Sequence, residues 1–427
     1  MVRALSARWL DAVLIAVALC ALSLVVAPLI TGYLVVNRVN ATLQRLSLLH
    51  NIQWSVVRSE QGWFQTLLYT ELRIAGYAPV PAQLALVHGP VYLGMLQQQR
   101  SPFLLAYLRA TPAGTYTAPE FQAVLRFNGD WSAHLEPQDL TLRHLDGNPD
   151  AQFMLRALRA DLGYRERLRA LAVRAAADRG ELGVGGASAA LVELAMLGEY
   201  RLDTSGWLFG DTSLRIASIT HPGTQGRASG LELSASSTEN GTTATASIAL
   251  RAEASEFLER SFGAVELDAT ARKVSLTELR SWFHRSDSFT ARALQSLGAD
   301  VNLRLAQFRI RDTEGAALMQ ADGTASVAPA KAARGTSLSL DLSASRPFAE
   351  FVFWQGAKRT LGRSALFGKL NELQEDERSA VARASAAKQL SVLAARGYLS
   401  WNRGWYHTRV TFDAGQWALN GRTVNVR

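Results

Sequence analysis

From Ala12 to Val36 the chain reads AVLIAVALCALSLVVAPLITGYLVV, without one charged residue. As a helix rising about 1.5 Å per residue, this run covers roughly 37 Å, enough to cross a hydrocarbon core about 30 Å thick with some tilt. Arg3 and Arg8 precede it, which favours a cytoplasmic N-terminus, although Arg38 and Arg45 follow. A cleaved signal peptide is the rival reading, but the run is longer than a usual h-region and no small-x-small site closes it. The expectation is an uncleaved single-pass anchor. Residues 1–11 are then cytoplasmic, 12–36 span the membrane, and 37–427 form a body outside the cytoplasm, since no later segment is apolar enough to cross again. Cys20 is the sole cysteine, so neither an intramolecular disulfide nor a cysteine metal cluster can form. Leu19 stands where a lipoprotein signal would need a small residue before that cysteine.

The net charge is +8, carried mostly by arginine. Such a balance suits anionic lipid or nucleic acid, and an extracytoplasmic body removes nucleic acid.

Beyond the anchor, apolar residues recur with period two, the mark of half-buried strands. Leu231, Leu233 and Ala235 alternate with polar residues, Glu239-Asn240-Gly241 intervenes, and Ala244, Ala246, Ile248 and Leu250 alternate again. Asn-Gly between alternating runs predicts a hairpin with a type I′ turn. Further strands are expected around Ala123–Phe127, Trp131–Leu135, Val265–Ala269 and Leu338–Leu342. At Val301, Leu303 and Leu305 the apolar phase is odd, and at Phe308 and Ile310 it is even, which predicts a bulge near Ala306 and Gln307. One-sided alternation fits antiparallel sheet better than doubly wound parallel sheet.

Helices are expected to interrupt the strands. Ser275-x-x-Glu278 is a capping box before Leu276 and Leu279. Leu155, Leu158 and Leu162 have helical spacing within an arginine-rich stretch, 151–177, suited to lipid headgroups or to a solvated face over a sheet. A polar, alanine-rich helix is expected from about Asn371 to Arg396, closed by Gly397. The stretch LGVGGAS, 182–188, reads as a linker and a sub-boundary of the body. The fold class is therefore α+β: a single transmembrane helix, then a large, mostly antiparallel curved sheet with interspersed helices.

Signatures of chemistry are missing. The seven histidines are scattered and form no HExxH pair. Ser188 lacks the second glycine of a nucleophile elbow, and Gly368-Lys369 lacks the rest of a phosphate loop. Carboxylates in NELQEDERS suit a solvated helix face. No catalytic residue, metal ligand or cofactor is assigned. The one enzymatic alternative is an envelope hydrolase with a site assembled from distant residues.

Three motifs stand in order along the chain. Gly62-Trp63-Phe64 leads into a strand, His88-Gly89-Pro90 lies within VHGPV, and the C-terminus carries Gly397 and Tyr398, a hairpin, and Leu419-Asn420-Gly421. Together they resemble the YdgA-like family of bacterial envelope proteins, as a divergent copy, since Gln61 and Gln65-Thr66 replace that family's arginine and serine pair. The resemblance implies a bacterial inner-membrane anchor and a large periplasmic domain, and no chemistry.

The motif residues themselves read as structural. Gly62 permits a turn, Trp63 and Phe64 fill the core, and His88-Gly89-Pro90 ends a strand, with His88 a hydrogen-bonded structural histidine. Val410 and Phe412 are expected to pair with Leu419 and Trp417 across the turn at Asp413–Gly415. Two functions follow: a scaffold or interaction module binding other envelope proteins, cell-wall components or a second copy of itself, or contact with phospholipid through an apolar sheet groove. A lipid-binding or transfer protein proper is the stronger form of the second. Phe348, Phe351, Phe353 and Trp354 are candidates to line such a groove.

Overall fold

The structure is a computed structural model that describes residues 30–37, 39–40, 52–74, 80–88, 104–112, 121–143, 152–184, 187–203, 208–221, 226–257, 260–277, 301–327, 337–363, 375–413 and 415–424. The chain divides into two units, residues 1–210 and 211–427. Both are built from antiparallel strands, as the one-sided alternation predicts.

In the first unit nine strands follow one another as a meander: β1 (Ile52–Gln61), β2 (Gln65–Ile74), β3 (Val80–His88), β4 (Ala106–Pro112), β5 (Phe121–Leu125), β6 (Trp131–Arg143), β7 (Gln152–Arg165), β8 (Ala170–Val184) and β9 (Ala187–Leu202). Each pairs antiparallel with the next. Their register brings Leu86, Leu108 and Ala123 into one row and Leu84, Leu68 and their neighbours into the same face. Residues 30–37 are helical and lie on that face. Val35 is fully buried in a cluster with Leu68, Leu84, Leu86, Leu105 and Ala106. Burying each of these large side chains contributes on the order of 1.5–3 kcal/mol.

The expected basic helix over 151–177 is instead the β7–β8 hairpin, with Arg165 opposite Ala170 and Leu162 opposite Val173. Its helical spacing arises from a bulge. Ala157 takes a positive φ of 52°, and its amide donates to Asp139 Oδ1 at 3.0 Å in β6. One extra residue shifts the apolar phase from odd at Leu155 to even at Leu158 and Leu162 without turning them to the other face. The interruption recurs at one level across four strands: β6 shifts between Leu135 and Leu140, the β7–β8 ladder is broken beside Ala157, and Glu193 in β9 has a φ of 50°. Of residues 182–188, expected as a linker, 182–184 end β8 and 187–188 begin β9, with Gly183 facing Ser188; residues 185 and 186 lie outside the described residues.

Most of β10 (Leu208–His221) belongs to the second unit. It is followed by β11 (Gly226–Asn240), β12 (Thr243–Ala252), β13 (Ala254–Phe257), β14 (Arg260–Phe262), β15 (Val265–Ser275), β16 (Val301–Arg311), β17 (Ala317–Val327) and β18 (Ser337–Ser345). Two helices come next, α1 (Arg346–Arg363) and α2 (Glu375–Ala395), and then β19 (Ser400–Asn402), β20 (Trp405–Asp413), β21 (Gln416–Leu419) and β22 (Arg422–Val424). The sheet runs β10-β11-β12-β15-β16-β17-β18-β20-β21-β22, with β13 and β14 a side hairpin on β11. The register shift between Leu305 and Phe308 falls where the change of apolar phase predicts it.

The hairpin at Asn240-Gly241 forms, but with a different turn. Asn240 pairs with Thr243, so Gly241 and Thr242 are the central residues, and of the two Gly241 alone has a positive φ, 67°. That is the type II′ pattern, with glycine first. Phe348 and Phe351 of α1 pack with Phe262 and Leu318 at the ends of strands. They are core residues of a helical cap.

The anchor expected over 12–36 lies outside the described residues up to residue 29. Among the described residues no helix is long and apolar enough to cross a membrane.

Candidate functional site

The motif residues fall into two clusters, one per unit. In the first, β3 ends at His88, whose amide donates to Phe64 O at 3.0 Å. The His88 ring is 2% exposed, and its Nε2 lies 3.0 Å from the hydroxyl of Thr66, itself fully buried. A hydrogen-bonded buried histidine is what the sequence predicts. Missed by sequence reasoning is what sits over the ring: a Cβ on Gly32 would come within 2.5 Å of His88 Cε1. Glycine at 32 therefore lets the helix at 30–37 press directly on the imidazole. The pattern Gly32–Tyr33 inside an apolar run gave no local sign of this contact. Gly89 and Pro90 lie outside the described residues.

Gly62 makes the β1–β2 turn, its amide donating to Gln65 O at 2.7 Å. A Cβ there would lie 2.8 Å from the same oxygen, so a side chain is excluded by the backbone itself. Trp63 and Phe64 do not fill the core as expected. They stand at the hairpin tip, 46% and 59% exposed, because the turn places both beyond the last paired residues, Gln61 and Thr66.

In the second cluster α2 ends in a left-handed residue at Gly397, φ 72°. The Gly397 amide donates to Ala394 O and the Tyr398 amide to Leu393 O, both at 2.9 Å; this closes the helix as glycine caps do. Tyr398 O then accepts from Thr408 Oγ1 at 2.9 Å and from Asn420 Nδ2 at 3.1 Å. Asn420 and Gly421, with φ of 49° and 78°, are the central residues of the β21–β22 turn and give it the type I′ pattern. The other face of Asn420 clamps β20: its Oδ1 accepts from the Arg409 amide and its own amide donates to Arg409 O, each at 2.8 Å. Phe412 packs against Trp417 with ring centroids 4.9 Å apart and planes tilted by 49°, and Val410 faces Leu419, as expected for the terminal hairpin. Arg409 also donates twice to Asp341, at 2.7 and 3.0 Å, and this raises its pKa above the usual guanidinium value. Both clusters are latches that tie a helix to a sheet.

A third feature is a recess of about 520 Å³ in the first unit, with Leu104, Tyr107, Gln122, Val124, Ser132 and Arg174 in its lining. Within it His134 Nδ1 lies 2.7 Å from Asp161 Oδ1. Such a pairing can orient an imidazole as a base. The two side chains are 42% and 67% exposed, and among the described residues no hydroxyl or thiol is hydrogen-bonded to His134. No group of three or more metal-ligating side chains is present among the described residues.

Searches of curated proteins and of solved structures return no match. A family model described as a bacterial protein of unknown function, DUF945, matches residues 9–427. With nearly the whole length covered, the chain belongs to the DUF945 family of bacterial proteins.

Proposed function

We propose that this is a non-enzymatic, single-pass protein of the bacterial inner membrane, of the YdgA-like kind, whose periplasmic sheet contacts lipid acyl chains. The observation that carries the reading is the apolar face of the second unit. Rows of paired residues run across it: Leu233, Leu250, Leu267 and Phe308 in one, Ala235, Ile248, Ala269 and Leu305 in the next. Leu340 and Val410 extend the face across β18 and β20. These side chains are only half-buried, and Ile248 is exposed. The opposite face carries Ser247 and Thr270, 3.3 Å apart, and Asp341 with Arg409. Among the described residues the helix that meets this face, α1, packs at strand ends, against Ile310, Met319 and Ala344, and leaves the middle rows open. An apolar face of this size with a polar reverse suits acyl chains better than a soluble peptide.

The test is photo-crosslinking in cells, with p-benzoylphenylalanine placed at Leu305 or Leu340 of the full chain. Phospholipid adducts at both, and none at Ser339 on the reverse face, are expected. Adducts exclusively to protein at Leu305 and Leu340 would move the function to the scaffold reading.

A further inference from the structure

We infer that one edge of the first unit's sheet is a membrane-seating edge, with its hairpin tips set into the headgroup region beside the anchor. Register alone brings three turns to that edge. Gln61 faces Thr66 at the β1–β2 turn, Leu125 faces Trp131 at the β5–β6 turn, and Arg165 faces Ala170 at the β7–β8 turn. The rows joining them, Gln65 to Val87, His88 to Ala106, Ala106 to Leu125 and Trp131 to Tyr164, place all three on one side of the meander.

Each turn presents large apolar side chains to solvent. Trp63, Phe64, Phe127 and Leu168 are between 46% and 60% exposed. An isolated exposed side chain of this kind is ordinary; three tips on one edge that all carry one are a pattern. Arginines flank them: Arg126, Arg165, Arg167 and Arg169 are all exposed. The tips are held in place, since Asp130 of one turn accepts from the Glu166 amide of another at 2.9 Å.

The helix at 30–37 selects a bilayer as occupant over a soluble partner. His88, at this edge, touches Gly32, so the helix meets the sheet level with the tips. Its far side exposes Ile30, Tyr33 and Leu34. The charge-free residues leading into it, 12–29, would cover about 27 Å as a helix, close to one hydrocarbon core. Residues 30–34 and the tips then fall at the depth where aromatic rings sit in headgroups and arginine meets anionic lipid. This inference rests on the anchored reading.

The test uses the full chain with Cys20→Ser and, one at a time, Phe64→Cys, Phe127→Cys, Leu168→Cys and Leu182→Cys, the last at a tip on the opposite edge. Each is labelled with an environment-sensitive dye and reconstituted into phosphatidylethanolamine–phosphatidylglycerol vesicles containing lipid spin-labelled at the headgroup. Emission should fall about two-fold at 64, 127 and 168 and by less than about a tenth at 182, as for side chains inside and outside the interface. A chain that survives an alkaline wash of the vesicles yet shows no quenching at the three tips overturns the seating edge and leaves the anchor standing. A chain stripped by the wash overturns the anchored reading, and the edge with it.

Discussion

The β2–β4 region of the first unit and the sheet of the second use one strand logic and treat their apolar faces in opposite ways. In the first, a helix lies on the face, and Leu68, Leu84 and Leu86 beneath it are essentially sealed from solvent. In the second, among the described residues, α1 packs at strand ends, and the leucines at the middle of the face remain half-buried. A meander of alternating strands thus does not determine whether its apolar side becomes a core; a covering element does. Substitutions on the two faces should separate accordingly.

The largest effect is expected for Leu84→Ala. Loss of a sealed leucine costs about 2–5 kcal/mol, and Leu340→Ala on the half-buried face should cost less than half of that; hydrogen exchange localised to each unit would read both. Equal losses would mean that the second face is a closed core. Next comes Gly32→Ala, whose new methyl meets the His88 ring; overpacking of this kind costs about 1–3 kcal/mol. Adding His88→Ala should recover part of the loss, and a double-mutant cycle without coupling would break the proposed latch. Asn420→Ala strips the clamp between Tyr398 and Arg409 and should cost about 1–2 kcal/mol, seen as faster exchange in β20 and β21. Smallest is Arg409→Ala: its bidentate pair with Asp341 is exposed, and the midpoint of thermal unfolding should not move measurably.

Much of the second unit was legible in the sequence because its strands carry unbroken alternation, as in Leu231–Ala235 and Ile248–Leu250. The break in phase at Ala306 and Gln307 was itself informative. Where bulge and helix give the same spacing, as at Leu155, Leu158 and Leu162, periodicity could not choose; the Asp139 carboxylate that stabilises the bulge comes from another strand. Turn chemistry was legible at Asn420-Gly421 in its residues and misleading at Asn240-Gly241, where register moved the asparagine into the strand. The latches were half legible. His88 could be read as structural, but its partner Gly32 lies 56 positions earlier in the chain, and contacts across that distance leave no local period. Trp63 and Phe64 show the remaining limit: large aromatics after a glycine suit a core and a hairpin tip equally well, and only the paired residues around them decide.

The aligned bulges of β6 to β9 bear on how such a chain can vary. Leu140, Leu155, Gly180 and Leu191 form one row, and Leu135, Ala160, Ala175 and Met196 another, five positions away in every strand. Deleting one residue from any single strand would turn half its apolar side chains toward the wrong surface while its neighbours kept theirs. The four extra residues are therefore coupled: taking one out restores a continuous apolar face only if the other three go with it, and the turns are the places where this part of the chain can change length one residue at a time.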